Sequence, residues 1–131
     1  MRIIVVGGTG LAEQVAGALH QAGDEVTVID TEPGRESALA KAGLRAIYGD
    51  ALNPSTLEAA GARRVDVLVA CTRSDEDNLV ISLLAKKRFN VPRVIARVND
   101  PASDELFSQS WGVDALVSPA TSLVSMIRHG S

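Results

Sequence analysis

Aromatic residues make up only 3% of this 131-residue chain. Its core must therefore be built from Val, Ile, Leu and Ala, a composition that suits a parallel sheet covered by helices. Cysteine is almost absent. The single Cys71 excludes an internal disulfide and fits a reducing compartment. No apolar run approaches the ~20 residues that a membrane-spanning helix requires. Excess charge is missing too: a net charge of -3 gives no electrostatic footprint for nucleic acid. Met1 and Arg2 lead straight into a strand-like run, without the pattern of a signal peptide, so the expected location is cytoplasmic. The length fits one domain spanning residues 1–131.

What the chain does contain is a strict alternation. Apolar strand-like runs at 2–6, 25–30, 45–50, 65–71, 93–98 and 113–118 are separated by helix-length amphipathic segments at 10–23, 33–43, 53–61, 74–89 and 101–112. A last segment, 119–130, can close the chain as a helix. Start and stop signals agree with these limits: Asn53 before Pro54, Pro33 near one start, Gly23 and Gly43 just past two ends. Alternation of this kind predicts an α/β fold with a parallel sheet. Right-handed crossovers and six strands make the doubly wound order 3-2-1-4-5-6 the expected one, in three layers, Rossmann-like.

The first strand ends in "GGTGLA", residues 7–12. In a doubly wound sheet this turn faces the crevice where the strand order reverses, and the following helix offers its free N–H groups to a diphosphate. The G-x-G-x-x-G/A spacing begun at Gly7 reads Gly7, Thr9, Ala12, with the middle glycine replaced. Begun at Gly8 it reads Gly8, Gly10, Glu13, and the third position fails. The first register is preferred because Ala12 can pack as the third small residue. Any strand-to-helix turn favours glycine, so the turn alone is weak. Asp30, at the tip of the second strand and about 20 residues on, strengthens it, since such an acid accepts hydrogen bonds from ribose hydroxyls. Asp30 also reads as a cap for the segment that follows, and the two roles are compatible. An acid here repels a 2′-phosphate, which favours NAD or plain adenine nucleotides over NADP.

Three further stretches, "YGDALNPSTLEAAG", "VDVLVACTRSDEDNLVISLLAKK" and "VPRVIARVNDP…GVDALVSP", extend the pattern across the chain. With them the chain resembles the RCK/KTN (TrkA-N) nucleotide-binding domain of Trk- and Ktr-type potassium-transport systems, from Met1 to about Met126. The resemblance implies a cytoplasmic regulatory subunit. It would sense NAD(H), or alternatively ATP/ADP or AMP, and pass that state to a membrane potassium transporter or channel subunit. Such domains assemble as homodimers or higher rings. By position, Gly7, Gly8, Thr9, Gly10, Leu11 and Ala12 would hold the diphosphate. Asp30, with Thr31 beside it, would hold the adenosine ribose, and Asp50 and Ala51 would lie against the adenine. Cys71 and Thr72 would stand beside the second ribose or terminal phosphate, and Arg97 would reach phosphate or a subunit contact. Relatives that bind ATP often carry Arg where this chain has Gly10, so the loop brings no cation to a terminal phosphate. Full-length transport subunits usually continue into a second lobe, so the sequence reads as a stand-alone first lobe or a piece of a longer chain.

Other residues invite weaker readings. Cys71 reads as a small apolar filler rather than a nucleophile, having no His neighbour. His20 and His129 read as surface. Residues 74–78 read as a capped acidic first turn, and 86–88 as a cationic helix end. Asp50 reads as an adenine contact or as a turn cap. Phe107 and Trp111 are spaced i, i+4 on the predicted 101–112 helix, with Leu106 beside them, which makes either an interface stripe or ordinary packing. A small NAD(P)-dependent reductase is the rival reading of "GGTGLA". It needs a Tyr four residues before a Lys, and the only Tyr, Tyr48, is followed at position 52 by Leu. An interaction module with a decayed cleft is the third.

Overall fold

The computed structural model describes residues 1–7 and 10–130. Six strands, β1 (Arg2–Val6), β2 (Glu25–Asp30), β3 (Arg45–Tyr48), β4 (Val67–Ala70), β5 (Arg93–Arg97) and β6 (Ala115–Val117), form one sheet in the order β3-β2-β1-β4-β5-β6. All adjacent pairs are parallel. The helices are α1 (Leu11–Gln21), α2 (Glu36–Lys41), α3 (Pro54–Ala59), α4 (Asp75–Lys87) and α5 (Pro119–His129).

Alternation within β1 sets the layers. Ile4 and Val6 face a cluster formed with Leu57 of α3 and Ile81 and Ala85 of α4. Ile3 and Val5 face the opposite way, toward Ala12 and Ala16 of α1 and Leu39 of α2. Both sheet faces are therefore apolar, as buried parallel strands require. The layer formed by α1 and α2 is incomplete beyond β1. Val67 and Val69 of β4, Ile95 of β5 and Val117 of β6 line an apolar groove of about 450 Å³ beside Leu11, Val15 and Leu19 of α1. Helix α5 does not fill it: none of its residues is buried, and Leu123, Val124 and Ile127 are exposed, Ile127 by 79%.

One expected helix does not form. Residues 101–112 break into two 3-10 turns, Pro101–Leu106 and Gln109–Trp111. Asp100 caps the first by accepting from the Ala102 N–H at 3.0 Å, and Phe107 then leaves in an extended conformation. The reason is packing: Phe107 drops into the core at 8% exposure, while Leu106 and Trp111 face outward. The proposed stripe of Leu106, Phe107 and Trp111 is therefore split between core and surface.

Helix α4 is fastened at both ends. Ser74 caps it by accepting from the Asp77 N–H at 3.2 Å. Asp75 reaches across to the segment after β5, accepting from the N–H groups of Asn99 at 2.6 Å and Asp100 at 2.9 Å. At the other end Lys86 pairs with Asp114, just before β6, and Asp114 also accepts from the Val94 N–H at 2.8 Å. Burial alone would raise the pKa of both carboxyls. For Asp75 the hydrogen bonds from Asn99 and Asp100 outweigh burial and lower it. For Asp114 the Lys86 hydrogen bond and the Val94 N–H do the same, helped by the charges of Lys86 and Arg93.

A depressed folded pKa stabilises the fold fully above the unfolded value of ~3.9, and this is lost as pH falls through the folded values. Chemical denaturation followed from about pH 7 down to about pH 2.5 is expected to show stability falling below about pH 4. Asp114→Asn should flatten that fall; an unchanged slope would remove Asp114 from the account.

Candidate functional site

The strand order reverses between β1 and β4, so their carboxyl ends diverge and a crevice opens there. Gly7 makes its floor. The Gly7 N–H donates to the Ile29 carbonyl at 2.9 Å, and the Cys71 N–H donates to Val6 at 3.0 Å. Gly7 has φ +117°, and a Cβ on it would lie 2.7 Å from the Cys71 carbonyl and 3.2 Å from the Ala12 Cβ. Only glycine fits, and Ala12 lies fully buried against it. Gly10 differs. It opens α1 at φ +59°, ψ -123°, and a Cβ there would meet no atom within 4 Å. Its glycine answers the dihedral, and its open side faces the crevice. Among the described residues no side chain caps α1, so its first N–H groups keep the positive dipole end available to an anion. Gly8 and Thr9 lie outside the described residues.

The acid at the tip of β2 is buried and occupied. Asp30 Oδ1 accepts from the Glu32 N–H at 2.9 Å, and Oδ2 lies 3.0 Å from Arg35 Nε. Arg35 also pairs with Glu13 of α1 at 2.7 Å. Across the crevice, Cys71 is buried, and burial pushes its thiol pKa up against the opposing charge and hydrogen bond of Arg97. Thr72 is placed by Asn78 of α4. The Asn78 Oδ1 accepts from the Thr72 N–H at 2.9 Å and from its hydroxyl at 2.7 Å. The Asn78 amide donates to the carbonyls of Thr72 at 3.0 Å and Arg97 at 2.9 Å.

The structure thus gathers Gly7, Gly10, Leu11, Asp30, Thr31, Cys71, Thr72 and Arg97 around one crevice of about 340 Å³. Asp50 and Ala51 are not in its walls: Asp50 accepts from the Leu52 N–H at 2.9 Å, as a turn cap does, and the Ala51 side chain is in the core. Three contributors escaped the sequence reading. Arg73 and Glu32 line the crevice. Arg73 follows the strand-end pair Cys71–Thr72 directly, and Glu32 stands two residues past Asp30, which were the available signals. Asn78 gave the third, a buried amide in the first turns of a helix that otherwise turns charge outward. The cations the glycine loop lacks come instead from Arg73 and Arg97, on the β4 and β5 side.

A larger cavity, about 540 Å³, lies at the opposite end of the sheet. It is lined by Arg2, Arg45, Arg63 and Arg64, of which Arg2 pairs with Glu25 and Arg63 with Glu58. It sits at the amino ends of the strands, away from the reversal of strand order, where a nucleotide fold has no binding crevice.

A doubly wound sheet with this turn and a strand-tip acid defines a Rossmann-like domain. Within that class the chain belongs to the TrkA-N domain family, whose model matches residues 3–119. It is 41% identical over 98% of its length to the Trk system potassium uptake protein TrkA of Mycobacterium tuberculosis, covering 59% of that protein. It is 33% identical over 91% of its length to a TrkA homolog of Methanothermobacter thermautotrophicus, covering 55% of it. The chain therefore spans little more than half the length of these curated relatives. Among solved structures, the TrkA-N domain of the Escherichia coli inner membrane protein ybaL superposes with a TM-score of 0.87 at 18% identity, covering 98% of this chain and 94% of that one. The Shewanella denitrificans Kef CTD in AMP-bound form gives 0.79 at 24%, covering 96% and 77%. The GsuK channel bound to NAD gives 0.77 at 20%, covering 88% and 21%.

All four hydrogen-bonding positions of the Asn78 amide are used. Asn78→Ala is expected to cost about 2–4 kcal/mol in urea denaturation, because it strands buried polar groups at two strand tips. A loss below about 0.5 kcal/mol would show that these contacts are replaceable.

Proposed function

We propose that the chain is the nucleotide-sensing domain of a cytoplasmic regulatory subunit, that its partner is a membrane potassium transporter or channel subunit, and that it binds without turnover. The observation that carries this is the pairing, in one crevice of a TrkA-N domain, of a helix start that no side chain caps among the described residues with a buried strand-tip carboxylate. The backbone from Gly7 to Ala12 would receive a diphosphate, with Asp30 and Thr31 at the adenosine ribose. Cys71, Thr72 and Arg97 would stand at the second ribose or terminal phosphate, while Asp50 and Ala51 remain beyond the wall at the adenine end. NAD(H) is the preferred ligand, with ATP/ADP or AMP as alternatives; the nucleotides named for the Kef and GsuK structures support this chemistry. Non-catalytic use is supported by the missing Tyr–Lys pair and by a Cys71 thiol held protonated by burial. Among the described residues no helix is long and apolar enough to cross a membrane.

Signalling would be a shift between assembly states that the ligand binds unequally. The groove beside α1 and the apolar side of α5 do not meet within one chain, which supports a homodimer in which they meet between copies.

Calorimetry with NAD is expected to show binding, and Asp30→Asn should weaken it by about tenfold or more. No heat from NAD or adenylates, or an Asp30→Asn variant as tight as the parent, would refute the reading. In sedimentation, Ile127→Asp is expected to shift the chain toward monomer; an unchanged distribution would exclude α5 from the assembly.

A further inference from the structure

We propose that Arg35 is a specificity-determining residue of the ribose subsite: a resident cation that holds the Asp30 carboxylate until a nucleotide takes it, and that offsets the carboxylate's repulsion of a 2′-phosphate. This rests on the nucleotide reading above and deepens it.

The geometry is a bridge. Arg35 stands at the start of α2, five residues past Asp30. Its Nε lies 3.0 Å from Asp30 Oδ2, and its Nη2 lies 2.7 Å from Glu13 Oε2. One guanidinium thus ties the tip of β2 to the first turn of α1, behind Asp30, which itself lines the crevice. Asp30 Oδ1 is already committed to the Glu32 N–H. Oδ2 is therefore the oxygen left for a ribose hydroxyl, and it is the one Arg35 faces. That Oδ2 is buried, and among the described residues no donor is aligned to it as a hydrogen bond, the Arg35 contact being a charge contact. A buried acceptor in this state gains from an aligned O–H, so a ribose hydroxyl has a reason to displace the cation.

Two consequences of opposite sign follow. NAD, which needs the carboxylate, competes with Arg35 for it. NADP brings a 2′-phosphate to a place where Asp30 and Glu13 alone would repel it, and where a forked cation is suited to receive it. A bare acid at residue 30 would exclude NADP strongly; an acid shared with Arg35 keeps the preference for NAD but narrows it.

The test is calorimetric titration of NAD and NADP into the parent chain, Arg35→Gln, Arg35→Lys and Glu13→Gln. The parent is expected to prefer NAD by less than about tenfold. Arg35→Gln should bind NAD about threefold or more tighter and NADP about threefold or more weaker. Arg35→Lys, which keeps the charge, should recover NADP binding. Glu13→Gln changes an exposed side chain and leaves the cation in place, so it should tighten NADP even if Arg35→Gln proves unable to fold. A purely structural Arg35 would move both ligands the same way, and that outcome, or no change in either, overturns the proposal while leaving the nucleotide reading intact. A parent chain that binds neither overturns both.

Discussion

The crevice depends on one buried amide. Asn78 sits inside α4 with no exposed surface and holds the backbone of Thr72, after β4, and of Arg97, at the end of β5. Thr72 and Arg97 both lie past the last pair between β4 and β5, Ala70 with Ala96, so the carbonyls that the Asn78 amide meets are outside that ladder. Without a side chain that both donates and accepts, they would need water at the mouth of the crevice. The same amide fixes the Thr72 hydroxyl, which in turn accepts from the Ser74 N–H at 3.2 Å, so the start of α4 and the wall of the crevice are one structure.

The electrostatics of the crevice are divided. Acids stand on the β2 side, Asp30 and Glu32, while Arg73 and Arg97 stand on the β4 and β5 side, with the dipole end of α1 between them. A nucleoside diphosphate has a matching asymmetry, with hydroxyls that donate at one end and phosphate oxygens that accept at the other. A ligand of that kind would be oriented by this polarity before shape is considered. Arg35 disturbs this division at its acidic end, which is why its contacts with Asp30 and Glu13 bear on selectivity.

The sheet is finished on one face and half finished on the other. On the α3 and α4 side the apolar positions are covered, down to Phe107 and Val113. On the α1 and α2 side cover stops near β4, and right-handed crossovers explain it: connections moving toward β6 all run over the opposite face. Helix α5, after β6, has none of its own residues buried. A fold of this topology leaves an apolar surface on that face by construction.

The sequence by itself determined the strand order, the parallel sheet, the glycine turn and the position of Asp30, because hydrophobic periodicity and helix signals are local and the crossover rule allows few arrangements of six strands. It also named most residues that reach the crevice, since strand ends in this topology converge on one edge. Only the tertiary structure decided the rest. That Phe107 belongs to the core while Leu106 and Trp111 do not, that Asp50 caps a turn, and that Asn78, Asp75 and Lys86 fasten α4 to distant backbone all depend on side-chain contacts across long sequence separations. No spacing rule records those contacts. The partnership of Asp30 with Arg35 and Glu13 is of the same kind: each charge is plain in the sequence, but which one faces which is settled by how α1, β2 and the start of α2 pack together.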